Sequence, residues 1–211
     1  MVELESVSFH YGREDAGMLL TGVEDISFKI EKGQCAVLCG RSGAGKSTIL
    51  HLISGLVPGF YEGQLKGRVI VNNGFPSSFT PEERVATLGV VFQDPRSQFF
   101  MGLDEVAFSA ENIGLSPERI LPQVMECAKR LEIESLLEKK VNELSSGQKQ
   151  RVAIAAATVF APPVLILDEP ISNLDRGGIK ILLEILGEIK QNGTTIIISE
   201  HRLHQFLSIA D

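Results

Sequence analysis

The first residues of the chain alternate between apolar and polar side chains. The apolar positions are Val2, Leu4, Val7, Phe9 and Tyr11. A period of two is typical of a strand with one buried face, so residues 2–11 are predicted to form a strand with an irregularity near Ser6. Residues 23–30 alternate in the same way and predict a second strand, which ends in the turn 31–33. These N-terminal strands are expected to pair antiparallel.

Further along, short runs of apolar residues stand between turns and predict buried strands. The runs are residues 35–39, 68–71, 88–93, 164–168 and 194–199. Residues 55–67 are rich in turn formers and predict a loop. One helix is predicted to end at about Ser54. A second is predicted at about 178–190, and a third is predicted to begin at about Arg202. This order of strands and helices predicts the α/β class with a mixed or parallel sheet.

The middle of the chain has the periodicity of a helix. Its clearest apolar series is Ile120, Val124, Cys127, Ala128 and Leu131. That spacing places the five side chains on one face of an amphipathic helix. We therefore predict an α/β core formed by residues 1–93 and 150–211, with an inserted α-helical subdomain at 94–149. The chain stops after the last predicted helix, so we expect a truncated subunit or one half of a tandem protein.

Composition and charge narrow the classes of partner. The net charge is −7, from 27 acidic and 20 basic residues, which argues against a nucleic-acid partner because such partners require a basic patch. We interpret Cys35, Cys39 and Cys127 as small core residues in a reducing compartment. The start of the chain is acidic, unlike a signal peptide. The longest uncharged run, 152–167, is too short to span a membrane.

Residues 40–48 carry the most specific motif. They read Gly-Arg-Ser-Gly-Ala-Gly-Lys-Ser-Thr and fit the G-x-x-x-x-G-K-[ST] pattern of a phosphate-binding loop. A strand is predicted before the loop and a helix after it, so the unpaired amides and positive dipole of the helix start favour phosphate. We predict that Lys46 reaches the β- and γ-phosphates and that Ser47 binds Mg²⁺. The alternative is a glycine-rich turn before an ordinary helix.

Two acidic residues follow the apolar run 164–167. The run predicts a central strand that delivers Asp168 to the carboxyl edge of the sheet, where open α/β sheets bind ligands. Asp168 is predicted to hold Mg²⁺ directly or through water. Glu169 faces elsewhere and is the natural general base for a water that attacks the γ-phosphate. The alternative is an acidic strand end that caps a turn before Pro170.

A second helix start occurs at residues 144–151, which read Leu-Ser-Ser-Gly-Gln-Lys-Gln-Arg. Ser145 is predicted to be the N-cap of a helix that ends near Phe160, and the following turn is a second place for an anion. One nucleotide does not need two such sites about 100 residues apart. A dimer would explain them, because the serine-glycine turn of each chain would cover the nucleotide of the other. An ordinary capped helix is the alternative.

These motifs, in this order, resemble the nucleotide-binding domain of ATP-binding cassette (ABC) transporters over essentially the whole chain. The resemblance implies that Gln93 contacts Mg²⁺, that His201 contacts the γ-phosphate, and that Tyr11 stacks on adenine. Glu169, His201 and Gln93 would then act in catalysis, and Ser47, Gln93 and Asp168 would hold Mg²⁺. One position departs from the family pattern, because Ser146 stands where glycine is usual.

The same resemblance implies a set of ATP contacts. They are Tyr11, Gly40, Arg41, Ser42, Gly43, Ala44, Gly45, Lys46, Ser47, Thr48, Ser145, Gly147, Gln148 and Asp175. Asp175 belongs to the segment 172–175, which matches the family's D-loop. The implied cofactors are ATP and Mg²⁺, and the implied partner is a second cassette, identical or different.

Three less specific segments are similar to those of the energy-coupling factor (ECF) branch of the family. The ATPases of this branch drive bacterial uptake of vitamins or transition-metal ions. The three segments are residues 55–63, 92–100 and 199–202. The resemblance implies a peripheral protein at the cytoplasmic face of the membrane. A transmembrane subunit would dock near Phe99, Phe100 and Met101.

Two other functions remain open at this point. A soluble cassette ATPase that acts on ribosomes or DNA usually has two cassettes with linkers, basic arms or long coiled-coil insertions. No linker, basic arm or coiled-coil insertion is seen in these 211 residues. A phosphate-loop kinase for a small molecule gives no reason for the turn at Ser145 or for His201.

Overall fold

The computed structural model describes residues 1–12, 20–93 and 104–211. Its strands are β1 (Val2–Tyr11), β2 (Leu20–Ile30), β3 (Cys35–Cys39), β4 (Gly63–Val71), β5 (Leu88–Val91), β6 (Val164–Asp168) and β7 (Thr195–Glu200). Its α-helices are α1 (Lys46–Ser54), α2 (Pro81–Thr87), α3 (Asp104–Asn112), α4 (Pro117–Arg130), α5 (Ser146–Thr158) and α6 (Arg176–Gln191). Helix α5 runs across the boundary predicted between residues 149 and 150.

The described strands form two sheets. Strands β2, β1 and β4 form an antiparallel sheet in that order, and β3, β7, β6 and β5 form a parallel sheet. The first sheet has a register shift between Leu4 and Val7, and Ser6 there has φ 46°. The predicted α/β class, the N-terminal antiparallel strands and the irregularity near Ser6 are therefore confirmed.

The parallel sheet is buried on both faces, which explains the continuous apolar runs in its strands. In β6, Leu165 and Leu167 face a core shared with helices α3 to α6. Val164 and Ile166 face the opposite core, which includes helix α1 and the antiparallel sheet. Helix α1 therefore packs between the two sheets.

Some predicted elements differ from the structure. Strand β4 begins at Gly63, inside the predicted loop 55–67. The loop signal came partly from Gly67, which has φ 81° and lies against the backbone of Ser6, where a Cβ would clash. Glycine serves here as an irregular position within a strand rather than as a loop residue.

Helix α2 was not predicted, although its start carries a local signal. Thr80 accepts the amide of Glu83, and the Glu83 side chain accepts the amide of Thr80, so the two form a capping box before Pro81. Strand β5 ends at Val91, before the predicted end at Gln93.

The last helix, predicted from about Arg202, is wrong. Arg202 has φ −101° and ψ 64°, outside the helical region, and only a 3₁₀ turn follows at Leu203–Gln205. His201 and His204 therefore do not share a helix face. Among the described residues, no group of three or more His, Cys, Asp or Glu side chains is placed to hold a metal ion.

In the described ranges, none of the helices combines the length and apolar character needed to cross a bilayer.

The prediction that all three cysteines are core residues holds for two of them. Cys35 and Cys127 are buried, but Cys39 is exposed. Cys39 ends strand β3 at the edge where the chain leaves the sheet, so its side chain has no covering layer. Burial raises the pKa of the Cys35 thiol to about 11 and also raises that of Cys127.

We expect Cys39 to react first with a thiol reagent in the native protein at pH 8. Cys35 stays protonated there because its pKa lies above that pH, and the thiolate is the reactive form. Stopped-flow measurement with Ellman's reagent should give one fast phase. Cys39→Ser should remove this phase, whereas Cys127→Ser should keep it; a fast phase that survives Cys39→Ser would contradict the assignment.

Candidate functional site

The phosphate loop lies between β3 and α1, as its sequence predicts. Gly45 precedes the first turn of α1 with φ 86° and offers no side-chain cap to the helix amides. A Cβ at Gly45 would lie 2.8 Å from the carbonyl oxygen of Gly22, so this position requires glycine. The helix start therefore keeps donors that an anion can use.

Lys46 is folded over the loop. Its ammonium donates to the carbonyl oxygens of Gly40 at 2.9 Å and Arg41 at 3.2 Å, and the residue is only 8% exposed. No carboxylate among the described residues forms a salt bridge with it. A buried ammonium held only by neutral carbonyls favours a negatively charged ligand beside it.

Ser47 and Asp168 meet across the phosphate loop and the end of β6. The Ser47 hydroxyl donates to Asp168 Oδ2 at 3.4 Å. Mg²⁺ in phosphate sites takes one or two protein oxygens and completes its shell with phosphate and water. A hydroxyl and a carboxylate oxygen at this distance fit that requirement.

Glu169 lies at the centre of a hydrogen-bonded group. Its Oε2 accepts the side-chain amide of Gln93 at 2.8 Å, and its Oε1 lies 2.9 Å from His201 Nε2. Glu169 has φ 47°, an uncommon conformation for a residue other than glycine that is often found at functional sites. Glu169 thus contacts Gln93 and His201, whereas Asp168 contacts Ser47.

Tyr11 lies near helix α1. Its hydroxyl is 3.1 Å from Thr48 Oγ1 and 3.4 Å from His51 Nδ1. The ring is half-buried and meets Phe9 edge-on at 4.8 Å between centroids. The predicted stacking on adenine stays a prediction, and the hydroxyl contacts tie Tyr11 to the helix that begins with the phosphate loop.

The turn at Ser145 has the predicted cap. The Ser145 hydroxyl accepts the amide of Gln148 at 3.3 Å, and Gln148 Oε1 accepts the amide of Ser145 at 2.9 Å. This reciprocal pair is a capping box. Ser145 and Ser146 are exposed, so the start of helix α5 lies at the surface.

A cavity of about 550 Å³ adjoins this turn. It is lined by residues 145–148 and by residues 173–175, together with parts of α5 and α6. Asp175 is the N-cap of α6 and accepts the amide of Gly178 at 2.8 Å. No residue of the phosphate loop lines this cavity. The two predicted anion sites therefore open into different regions of one chain.

The structure thus groups the predicted site residues into two sets. Ser47 contacts Asp168, and Gln93 and His201 contact Glu169, at the carboxyl edge of the parallel sheet. Ser145, Gly147, Gln148 and Asp175 lie around the separate cavity. Sequence reasoning gave no role to Glu200, a buried acid next to His201. The signal was an acidic residue at the end of an apolar strand.

The fold and the loop define a class of protein first: an α/β protein with a site for the phosphates of a nucleotide. The model of the ABC transporter family matches residues 23–172. The chain therefore belongs to the ABC transporter family.

Individual relatives agree with this assignment. A protein of Treponema denticola, named as an ABC transporter ATP-binding protein, is 42% identical over 213 residues; the match covers 100% of this chain and 43% of that protein. The chain thus spans less than half the length of this relative.

Two solved structures are similar. Clostridium perfringens cbiO1, part of the ABC transporter complex cbiONQ, is 33% identical with a TM-score of 0.78, covering 95% of this chain and 78% of cbiO1. The cassette MJ0796, in a dimeric post-hydrolysis state bound to ADP and Pi, is 27% identical with a TM-score of 0.81. That match covers 97% of this chain and 90% of MJ0796.

We expect Ser145→Ala to lower the free energy of unfolding by about 1 kcal/mol, the usual cost of a lost N-cap. Ser116→Ala is the matched control, because Ser116 precedes helix α4 without capping a backbone amide. Urea denaturation followed by circular dichroism measures both changes. Equal destabilisation by the two substitutions would show that the Ser145 cap does not stabilise α5.

Proposed function

We propose that this chain binds and hydrolyses ATP to power a bacterial membrane importer, through ATP-driven closure of two cassettes. The observation that carries the proposal is the exposed helix start at Ser145, which borders a cavity that no residue of the phosphate loop lines. A second cassette, identical or different, would bring its own phosphate loop to this turn.

Closure of two cassettes is supported by the geometry of both anion sites. The phosphate loop presents amides and a buried ammonium at one place. The turn at Ser145 and the N-cap Asp175 border a cavity at another place. Each site would contact one ATP from a different side, so the nucleotide would complete the interface. The dimeric state of MJ0796 is consistent with this arrangement.

Mg²⁺ is the expected cofactor beside the phosphates. Ser47 and Asp168 would hold it. Gln93 lies beside Glu169, to which its side-chain amide donates. Bound Mg²⁺ would neutralise the charge of the phosphate oxygens and so favour the attack of water on the γ-phosphorus.

Glu169 is the proposed general base. Its carboxylate would accept a proton from the water that attacks the γ-phosphorus, while the bond from phosphorus to the β-γ bridging oxygen breaks and leaves ADP. Both carboxylate oxygens now have partners, Gln93 and His201. Each oxygen keeps a second lone pair that can accept a hydrogen bond from water. His201 would then donate to a γ-phosphate oxygen.

The remaining ATP contacts follow from the position of the loop. Residues 40–48 would surround the α- and β-phosphates, and Lys46 would exchange the carbonyls of Gly40 and Arg41 for phosphate oxygens. Tyr11, at the end of strand β1, would stack on the adenine. A base–aromatic stack contributes about 1–3 kcal/mol in nucleic-acid complexes.

The importer is proposed to be of the ECF type. The likeness to cbiO1, which is part of the complex cbiONQ, supports this branch. The expected solute class is a vitamin or a transition-metal ion, and the chain would lie peripherally at the cytoplasmic face of the membrane. No nucleic acid is expected as a partner.

The proposed contact with a transmembrane subunit is near Phe99, Phe100 and Met101, which lie outside the described residues. A groove of about 260 Å³ is lined by β5, α2, α3 and α5. In the sequence, residues 94–103 come between β5 and α3, and both of these elements line the groove. Phe108 of α3 lines it and is 47% exposed. An apolar groove of this kind suits a helix of a membrane subunit.

We expect Glu169→Gln to bind MgATP with unchanged affinity but to hydrolyse it at least about 100-fold more slowly, the scale of a lost general base. Phosphate release measures turnover, and size-exclusion chromatography should show a dimer that accumulates with MgATP. Glu138→Gln, on an exposed acid, is the matched control. Turnover by Glu169→Gln at the parent rate would refute the assignment of the base.

Lys46→Ala should abolish turnover by a different route, because it removes the cation that faces the phosphates. Loss of ATP binding, measured with a fluorescent ATP analogue, separates it from Glu169→Gln. Lys139→Ala, on an exposed lysine, should behave like the parent. Normal hydrolysis by Lys46→Ala would exclude an ABC-type site.

We expect Phe108→Glu to reduce the recovery of integral membrane proteins with the tagged chain about tenfold, because a charge would enter the apolar groove. Detergent-solubilised membranes and mass spectrometry provide the measurement. Phe75→Glu is the control, since Phe75 is 54% exposed and does not line the groove. Recovery of ribosomes instead of membrane proteins would favour the soluble alternative.

A further inference from the structure

Glu200 is a buried acid at the end of strand β7. It is 2% exposed, and no basic side chain in the described part of the chain forms a salt bridge with it. Burial of an unpaired carboxylate is costly unless hydrogen bonds compensate for the lost water. The partners of this carboxylate therefore indicate what it holds in place.

Three backbone amides donate to Glu200. Its Oε2 accepts the amides of His201 at 2.9 Å and Arg202 at 3.3 Å. Its Oε1 accepts the amide of Ile171 at 3.3 Å. Hydrogen bonds to a charged acceptor are stronger than those between neutral groups. One carboxylate thus joins the segment of His201 to a second segment 29 residues earlier in the chain.

Arg202 completes the connection from the other side. Its guanidinium Nη2 donates to the carbonyl oxygen of Ile171 at 2.8 Å. The amide and the carbonyl of Ile171 are therefore both held by the residues that flank His201. Ile171 itself is fully buried, so its side chain is fixed in the core.

Ile171 stands between two functional segments. On one side, the amide of Ser172 donates to the carbonyl of Glu169 at 3.2 Å. On the other side, the amide of Leu174 donates to the carbonyl of Ile171 at 3.3 Å. Leu174 and Asp175 line the cavity beside Ser145. Ile171 therefore links the turn of Glu169 to the wall of the cavity.

These contacts form a closed ring. His201 contacts Glu169 through their side chains at 2.9 Å, and Glu200 and Arg202 return the connection through Ile171. If His201 moved toward a γ-phosphate, it would pull on the backbone that Glu200 shares with Ile171. The movement would then pass from His201 and Glu169 to the segment 171–175, which would face a partner cassette.

We propose that Glu200 and Arg202 are positioning residues that couple His201 to the segment 171–175. The inference rests on the proposed function, because it assigns the segment 171–175 to the interface with a second cassette. Glu200 does not touch the nucleotide in this assignment. It transmits the position of His201 to the turn that borders the other site.

The test compares Glu200→Gln with Glu188→Gln. The glutamine at position 200 keeps the size of the side chain but replaces one acceptor oxygen by an NH₂ group that faces backbone N–H donors. Glu188 is exposed on helix α6, so its substitution controls for the loss of a charge. We expect Glu200→Gln to lower kcat about tenfold and to keep KM for MgATP within about twofold of the parent.

Arg202→Ala provides a second variant, because Arg202 is exposed and its removal leaves the core intact. It should also lower kcat with little change in KM, and Arg202→Lys should restore part of the rate. The control is Arg119→Ala, on an exposed arginine of helix α4. If Glu200→Gln does not fold, Arg202→Ala decides, and turnover at the parent rate would overturn the coupling.

Hydrogen exchange separates this inference from the proposed function. In the parent, ATP binding should increase the protection of a peptide that covers residues 171–175, and this response should be lost in Glu200→Gln. A parent that binds ATP without hydrolysing it would contradict the proposed function, while the exchange response would still decide the coupling. An unchanged kcat, an unchanged exchange response, or a parallel loss of ATP binding and thermal stability would make Glu200 merely structural.

Discussion

The site depends on the start of helix α1, where the protein places the Lys46 ammonium beside helix amides that no N-cap side chain accepts. Gly45 offers no side chain to the first turn, and Lys46 is buried against neutral carbonyls. Both features cost stability in the free protein. A phosphate group would satisfy them together, so the loop is complete only with a ligand.

The parallel sheet places the acidic residues around this helix start. Strand β7 lies between β3 and β6, so three strand ends converge at one edge. The phosphate loop follows β3, Asp168 ends β6 and precedes Glu169, and His201 follows β7. The carboxyl ends of parallel strands point to the same edge, and this edge brings together groups that would repel one another without a cation or an ordered set of donors.

The second predicted anion site, the turn at Ser145, differs from the phosphate loop because a side chain caps its helix. Ser145 completes its own helix through a capping box, yet it remains exposed at the border of a large cavity. The hydrogen bonds of this turn are made within its own helix, and its surface is exposed. Such a turn is suited to contact another molecule. The ring through Glu200 and Ile171 joins this border to the turn of Glu169. Two side chains, Glu200 and Arg202, thus connect the carboxyl edge of the parallel sheet with the cavity border through hydrogen bonds to the backbone of Ile171.

Local chemistry was readable from the sequence alone. The phosphate loop, the cap at Ser145 and most buried strands depend on residues within a few positions of one another, and short-range periodicity and capping encode them. The tertiary structure decided the contacts of Glu169, whose partners lie 76 and 32 residues away, as well as the exposure of Cys39 and the ring at Ile171. The contacts of Glu169 and the ring at Ile171 depend on the order of strands in the parallel sheet, where β6 lies between β7 and β5, and sequence spacing carries no record of that order.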